Sequence, residues 1–277
     1  MARAYRPVAS AAVVPAESDD LALALELADL ADAITMVRYG AADLHVETKP
    51  DATPVTEADR EVERVLRERL AEARPHDAVV GEELGGELGD GSARRWVIDP
   101  IDGTKSYIRG MPTWSTLIAL QQESGADVGV VSAPAWGRRW WAARGAGAFA
   151  AGPGAPTAGR PIRVSKVARL DEAQLTWGGI EDWDAVGRLE DLIRLGRQCW
   201  RTRGVGDASQ YMLVAEGGAE IALDPEVSLW DVAAVQVIVE EAGGRFTDLT
   251  GHVRADGGDA IATNGLLHGP ALAVIGR

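Results

Sequence analysis

Cysteine, histidine and phenylalanine are scarce: the 277 residues hold one, four and two of them. A lone thiol, Cys199, excludes a disulfide framework and suits a reducing cytoplasm. The histidines, at 45, 76, 252 and 268, have no paired spacing, which argues against zinc. No apolar run approaches the length that crosses a bilayer, so no membrane partner is expected. Cations are also short, with 28 Lys and Arg against 42 Asp and Glu and a net charge of -14. Such a field repels nucleic acid and anionic lipid, and an anionic substrate needs a local cation. Residues 1–17 carry Arg3, Arg6 and an Ala/Val run broken by Pro7 and Pro15, which reads as a disordered extension and not as a signal peptide.

What the chain does have is an apolar run that ends in two carboxylates: Arg95-Trp96-Val97-Ile98-Asp99-Pro100-Ile101-Asp102-Gly103-Thr104-Lys105. Val97 and Ile98 suit a buried strand, and Pro100 has no N–H for a ladder, so the strand is expected to stop at Asp99. Asp99 and Asp102 then share one tight turn, with the N–H groups of Gly103 and Thr104 facing whatever their oxygens hold. Hard cations take carboxylate and carbonyl oxygens, and phosphate takes unpaired N–H groups at a helix start. An ordinary polar turn has the same composition and is the alternative reading. Spacing excludes three other chemistries. An EF-hand loop from Asp99 would need Glu where Gly110 stands; an Asp-x-Asp phosphatase would need its nucleophile at Pro100; a cysteine phosphatase would need Arg at Val205.

Along the chain, Ser18 reads as an N-cap to a helix with Leu23, Leu27, Leu30, Ile34 and Val37 at helical spacing. Thr56-Glu57-Ala58-Asp59 opens a second helix, striped by Val62, Val65, Leu66 and Leu70. Val79-Val80 is a short strand before Gly81-Glu82-Glu83, and a glycine-rich loop runs from Gly85 to Gly91. Thr113–Leu120, Val128–Ser132 and Trp140-Trp141 read as an antiparallel sheet with helices on one face. Trp136, Trp140 and Trp141 are assigned to packing. The Gly/Pro/Ala-rich segment 151–161 marks the boundary between an α+β lobe at 18–155, carrying most metal ligands, and an α/β lobe at 156–277 completing the site. The second half alternates a helix over Asp184–Leu195, a strand near Cys199, a helix capped by Asp207, a strand at Ile221–Leu223, a long helix from Ser228 to Glu241, and strands at Arg245–Thr247 and Ala260–Thr263.

Glu82, Asp59 and Asp231 each stand where a strand ends or a helix begins. Taken singly, Asp59 and Asp231 fill the N3 slot of capping boxes and Glu82 is a loop acid. In combination they resemble the inositol monophosphatase superfamily of magnesium-dependent phosphatases. The resemblance rests on Asp59 in Pro-Val-Thr-Glu-Ala-Asp, Gly81-Glu82-Glu83, Trp96 to Thr104, and Trp230-Asp231-Val232-Ala233-Ala234. Four motifs in order span most of the chain.

That resemblance implies a layered αβαβα sugar-phosphatase fold, α+β and α/β in character, with two or three Mg2+ per site and a homodimer. It implies that Glu82, Asp99 and the Ile101 carbonyl hold one ion, and that Asp99, Asp102 and Asp231 hold a second. Asp59, Thr104 and Glu82 take catalytic roles, the first two orienting water. Gly103, Thr104, Asp102 and Asp231 meet the phosphorylated small molecule, and Asp207, Asp224 and Lys49 are further contacts. Thr48–Thr56, Arg138–Arg144 and Ala262–His268 look most like bacterial histidinol-phosphatases. Asp224 stands where inositol-specific members use Glu, and Ser106 stands where Asn is usual. The alternatives are an inositol or broad sugar phosphatase, and a phospholigand-binding module without turnover.

Overall fold

The computed structural model describes residues 19–50, 52–86, 94–122, 125–152 and 159–276. The extension at 1–17, the cap at Ser18, and the centres of the glycine-rich loop and of the segment 151–161 lie outside them. The described chain begins with α1 (Asp19–Arg38), the hairpin β1 (Val46–Thr48) and β2 (Pro54–Thr56), and α2 (Glu57–Ala73). β3 (Ala78–Gly81), β4 (Arg95–Asp102) and α3 (Thr104–Ile108) follow. Next come β5 (Ser115–Gln122), β6 (Gly125–Ala133), β7 (Arg138–Ala143), β8 (Gly147–Ala151) and β9 (Arg160–Pro161). The remainder is β10 (Gln174–Trp177), α4 (Ile180–Ala185), α5 (Leu189–Gly196), β11 (Arg201–Gly204) and α6 (Asp207–Ala215). It closes with β12 (Ile221–Asp224), α7 (Leu229–Glu241), β13 (Arg245–Thr247), β14 (Ala260–Thr263) and α8 (His268–Ile275).

Strands β3 to β9 form one sheet in sequence order, β3 parallel to β4 and the rest antiparallel. Its central strands are apolar on both faces because both are covered. Trp96, Ile98, Ile118 and Val130 share a core with Leu27 of α1 and with Leu66 and Leu70 of α2. Val97, Leu117 and Val131 share another with Val235 and Ile238 of α7. This corrects the expectation of helices on one face. The reason is α7 itself, whose buried residues run around its circumference, the pattern of a helix enclosed by protein. Its second face meets Ala222, Phe246 and Ala262 of a mixed sheet ordered β11-β10-β12-β14-β13. Trp183, Leu192, Leu195 and Ala271, from α4, α5 and α8, cover that sheet beyond. The layers therefore run helix, sheet, helix, sheet, helix, as expected.

Four local expectations are corrected. β4 continues through Pro100 to Asp102, with a register shift against β5 between Asp99 and Asp102 that absorbs the missing N–H; Thr116 Oγ1 donates to the Pro100 carbonyl at 2.7 Å. The helix at Asp184–Leu195 is two, broken where Gly187 takes a left-handed φ of 71°. The strand near Cys199 begins at Arg201, because Cys199 lies in the preceding turn. Val37 is 76% exposed, since α1 packs chiefly through Leu23, Ala24, Leu27 and Ala31. Trp140 and Trp141 are both core, on opposite faces of the first sheet.

The close seating of α7 on β6 depends on Gly129, where a Cβ would lie 2.4 Å from Val237 Cγ1 and 2.5 Å from the Ala234 carbonyl. Gly129→Ala is expected to cost roughly 1–3 kcal/mol by overpacking, read from urea unfolding. An unchanged midpoint would show that the layers separate freely.

Candidate active site

The end of β4 places Asp99 and Asp102 in the interior, 1% and 9% exposed. The first turn of α7 brings Asp231 to them, so that one oxygen from each lies within 4.8 Å of the others. Each carboxylate is fixed by one backbone donor. Ile101 N donates to Asp99 Oδ1 at 3.0 Å, Ala208 N to Asp102 Oδ2 at 2.6 Å, and Ser228 N to Asp231 Oδ2 at 2.7 Å. Burial first, then the charges of Glu82, Asp102 and Asp231, push the Asp99 carboxyl well above the usual range. Burial and the charges of Asp207 and Asp231 do the same to Asp102. Asp231 rises to about 7, through burial and the charges of Glu82, Asp224 and Asp207, despite its bond from Ser228. Buried, convergent carboxylate oxygens are the donor set of a hard divalent cation, so these residues fit one.

Asp59 is buried at the start of α2, where Thr56 N and Thr56 Oγ1 donate to its Oδ2 at 2.8 and 2.5 Å. Its Oδ1 faces Thr104 Oγ1 at 3.4 Å, and that hydroxyl lies 3.0 Å from the Ile101 carbonyl. Burial raises the Asp59 carboxyl to about 6, against the Thr56 bonds and with help from the charges of Glu83 and Glu82. Capping and facing the site are thus compatible, because a carboxylate has two oxygens. Gly103 holds a φ of 82°, and a Cβ there would meet Asp207 Oδ2 at 2.8 Å, so only glycine lets Asp207 approach the turn.

Asp102, Asp207 and Asp231 border a cleft of about 530 Å³ that Lys105 and Asp224 also line. Its floor is the carboxyl ends of the parallel strands β10, β11 and β12, the usual ligand position in such sheets.

With this geometry in place, the comparison with known proteins is decisive: the inositol monophosphatase family matches residues 17–274. The chain belongs to that family. It is a phosphatase similar to the histidinol-phosphatase of Mycobacterium tuberculosis, 53% identical over 92% of this chain and 96% of that one. The histidinol-phosphatase of Streptomyces coelicolor is 49% identical, over 95% and 99% of the two chains. Among solved structures, the Thermotoga maritima IMPase aligns with a TM-score of 0.82 at 32% identity, covering 94% of this chain and 97% of its own.

In this phosphatase, the resemblance assigns Glu82 to a first ion with Asp99 and the Ile101 carbonyl, apart from the set of Asp99, Asp102 and Asp231. Glu82 lies outside the group formed by Asp99, Asp102 and Asp231, and its Oε1 receives the Lys49 ammonium at 2.6 Å. Asp207 does not cap α6; Gly206 holds the cap position, and Asp207 is the first helical residue at a φ of 51°. Its carboxyl is raised to about 6 by burial and by Asp224, with Lys105 opposing. Asp224 is tied up by Tyr211 Oη at 2.7 Å, Gly178 N at 3.1 Å and Gln210 Nε2. Glu63 was missed by sequence reasoning: fully buried, it accepts from Glu83 N at 2.8 Å and Leu84 N at 3.1 Å. The signal was present, since an acid one turn after Asp59 falls on the buried face of α2.

Because Asp59, Asp207, Asp224 and Asp231 are raised above the unfolded value, their protonated forms favour the fold. Their contribution to cation-free stability is full below about pH 4 and is lost as pH rises through about 6 to 7. Thermal scans across that range should show the loss, and a divalent cation should reverse it at pH 7.5. Asp99→Asn should raise the cation-free melting temperature and abolish the rise on adding cation. A cation effect that survives in this variant would remove Asp99 from the ligand set.

Proposed function

We propose that this phosphatase hydrolyses small phosphate monoesters that carry a cationic group, L-histidinol phosphate foremost, with Mg2+ as its cation. The observation that carries this reading is the charge of the cleft. Beyond the converging carboxylates, Glu181, Asp182, Asp207, Asp224 and Glu226 line it, with Lys105 as the lone cation among the lining residues. Histidinol phosphate presents an ammonium and an imidazole beside its phosphate, whereas inositol phosphate presents neutral hydroxyls. The names of the two bacterial relatives support the same choice.

Asp99, Asp102 and Asp231 would hold the cation, with Glu82 and the Ile101 carbonyl as further oxygens. Bound there, magnesium supplies charge neutralisation and an acidified water. The protein positions the rest. Lys105 draws the phosphate into an otherwise repelling cleft, and the N–H groups of Gly103 and Thr104 receive it. Asp59, ionised above about pH 6, draws a proton through the Thr104 hydroxyl, which orients the attacking water. Asp207, with no side-chain donor among the described residues, reads the substrate's cation, while the occupied oxygens of Asp224 contribute charge.

The deciding measurement is kcat/KM for histidinol phosphate against inositol 1-phosphate. We expect a clear preference for the former; the reverse order would overturn the substrate, equal weak rates would mark a broad phosphatase, and no turnover would mark a binding module. Asp207→Asn should raise KM for histidinol phosphate about tenfold through loss of a charged contact, with a smaller effect on p-nitrophenyl phosphate. kcat/KM should rise with pH through about 6 as Asp59 loses its proton, a limb that Asp59→Asn removes.

A further inference from the structure

Strand β3 ends at Gly81, and Glu82 stands on the loop that follows. Gly81 N donates to the Gly85 carbonyl at 3.0 Å and Glu82 N to the Ile98 carbonyl at 3.2 Å. The next two N–H groups go to a side chain. Glu63 accepts from Glu83 N at its Oε2, at 2.8 Å, and from Leu84 N at its Oε1, at 3.1 Å, and it is wholly buried. Arg67, one turn further along α2, donates from Nε to Glu63 Oε1 at 2.8 Å. Its Nη groups donate to the carbonyls of Val79, at 3.3 Å, and of Gly85. Glu63 and Arg67 together therefore take up both donors and acceptors of the backbone around Glu82. Gly81 makes room for them, since a Cβ there would lie 2.1 Å from Glu63 Oε1. Glu63 is also one turn from Asp59 on the same buried face of α2.

We infer that Glu63 is a positioning residue for the cation site: it fixes the backbone that carries Glu82, in register with Asp59, so that the Glu82 carboxylate is presented to Asp99. The inference rests on the cation reading of the site, with Glu82 as one of its oxygens. Among neighbouring charges, that of Glu82 acts most strongly on Asp99, which places the two carboxylates side by side. A side chain on a loop follows every movement of its backbone, and charge-assisted bonds from a buried carboxylate remove that movement. Groups that orient a ligand in this way are worth roughly ten- to a hundredfold in metal affinity. Because Asp59 and Glu63 belong to one helix, α2 sets the water-orienting acid and the Glu82 loop from a single rigid element.

The test is calorimetric titration of the full chain with Mg2+, without substrate. Glu82→Gln defines the binding that depends on that carboxylate. Glu63→Gln keeps the size of the side chain but turns an amide N–H toward a backbone donor and gives up the charge opposite Arg67. It should weaken the same binding by about tenfold, or ~1.4 kcal/mol. Glu63→Gln and Glu82→Gln together should weaken it no more than Glu82→Gln alone, because the first acts through the second. Arg67→Lys keeps a charge beside Glu63 and loses the fork that reaches the two carbonyls. It should show a smaller loss of the same kind, and it decides the matter where Glu63→Gln does not fold. A lowered melting temperature with unchanged Mg2+ affinity in the deciding variant, or a loss that adds to that of Glu82→Gln, would overturn the inference and leave Glu63 a structural tie. Wild-type binding in Glu82→Gln would overturn it too, while leaving Asp99, Asp102 and Asp231 as the ligand set. A wild type that binds no divalent cation would overturn the cation reading as well. Phosphate release from histidinol phosphate is read separately, so failure of the substrate assignment leaves this result standing.

Discussion

Mutual repulsion among Asp99, Asp102 and Asp231 is the constraint that the rest of the molecule answers. Three carboxylates with oxygens within 4.8 Å of one another, two buried and Asp231 half-buried, favour separation or protonation. They stay together because each is fastened to backbone that cannot move away. Asp99 and Asp102 stand at the end of β4, which is paired on both sides by β3 and β5, and Asp231 stands at the start of the helix clamped between the two sheets. Asp102 also bonds the first turn of α6, which ties the first sheet to the central layer. A cation is the natural complement to such an arrangement, and the chain belongs to the inositol monophosphatase family.

The caps show how a fold can hold acids in place without consuming them. Asp59 gives one oxygen to the helix it opens and turns the other toward Thr104, and Asp231 caps its helix while belonging to the cluster. Capping and chemistry are therefore not rival readings for these two residues. Asp224 is the contrasting case, since Tyr211, Gln210 and Gly178 occupy it and leave mainly its charge to the cleft.

The apolar layers serve the same end. α7 is buried on all sides, so the position of Asp231 is set by packing against both sheets and not by the hydrogen bonds of the site alone. Gly129 lets that helix approach β6 closely, and Gly103 lets Asp207 approach the turn after β4. A second buried tie joins α1 to β7, where Arg139 Nη2 donates to Asp32 at 2.7 Å, so even the outermost layer is pinned by a charge pair.

The sequence by itself determined what depends on neighbours along the chain. The strand leading to Asp99, the capping boxes at Thr56 and Ser228, the long apolar helix and the acid motifs are patterns of spacing within one element, and each was legible. Pro100 misled because a missing N–H normally ends a ladder, while here a register shift accommodates it. Tertiary structure decided the rest. That the first sheet is covered on both faces follows from α7, which joins from far along the chain. Lys49 takes Glu82 across 33 residues, Asp102 takes the N–H of Ala208 across 106, and Arg139 meets Asp32 across 107. Periodicity and turn chemistry carry no information about such pairs, because only the packed layers bring them within hydrogen-bond distance.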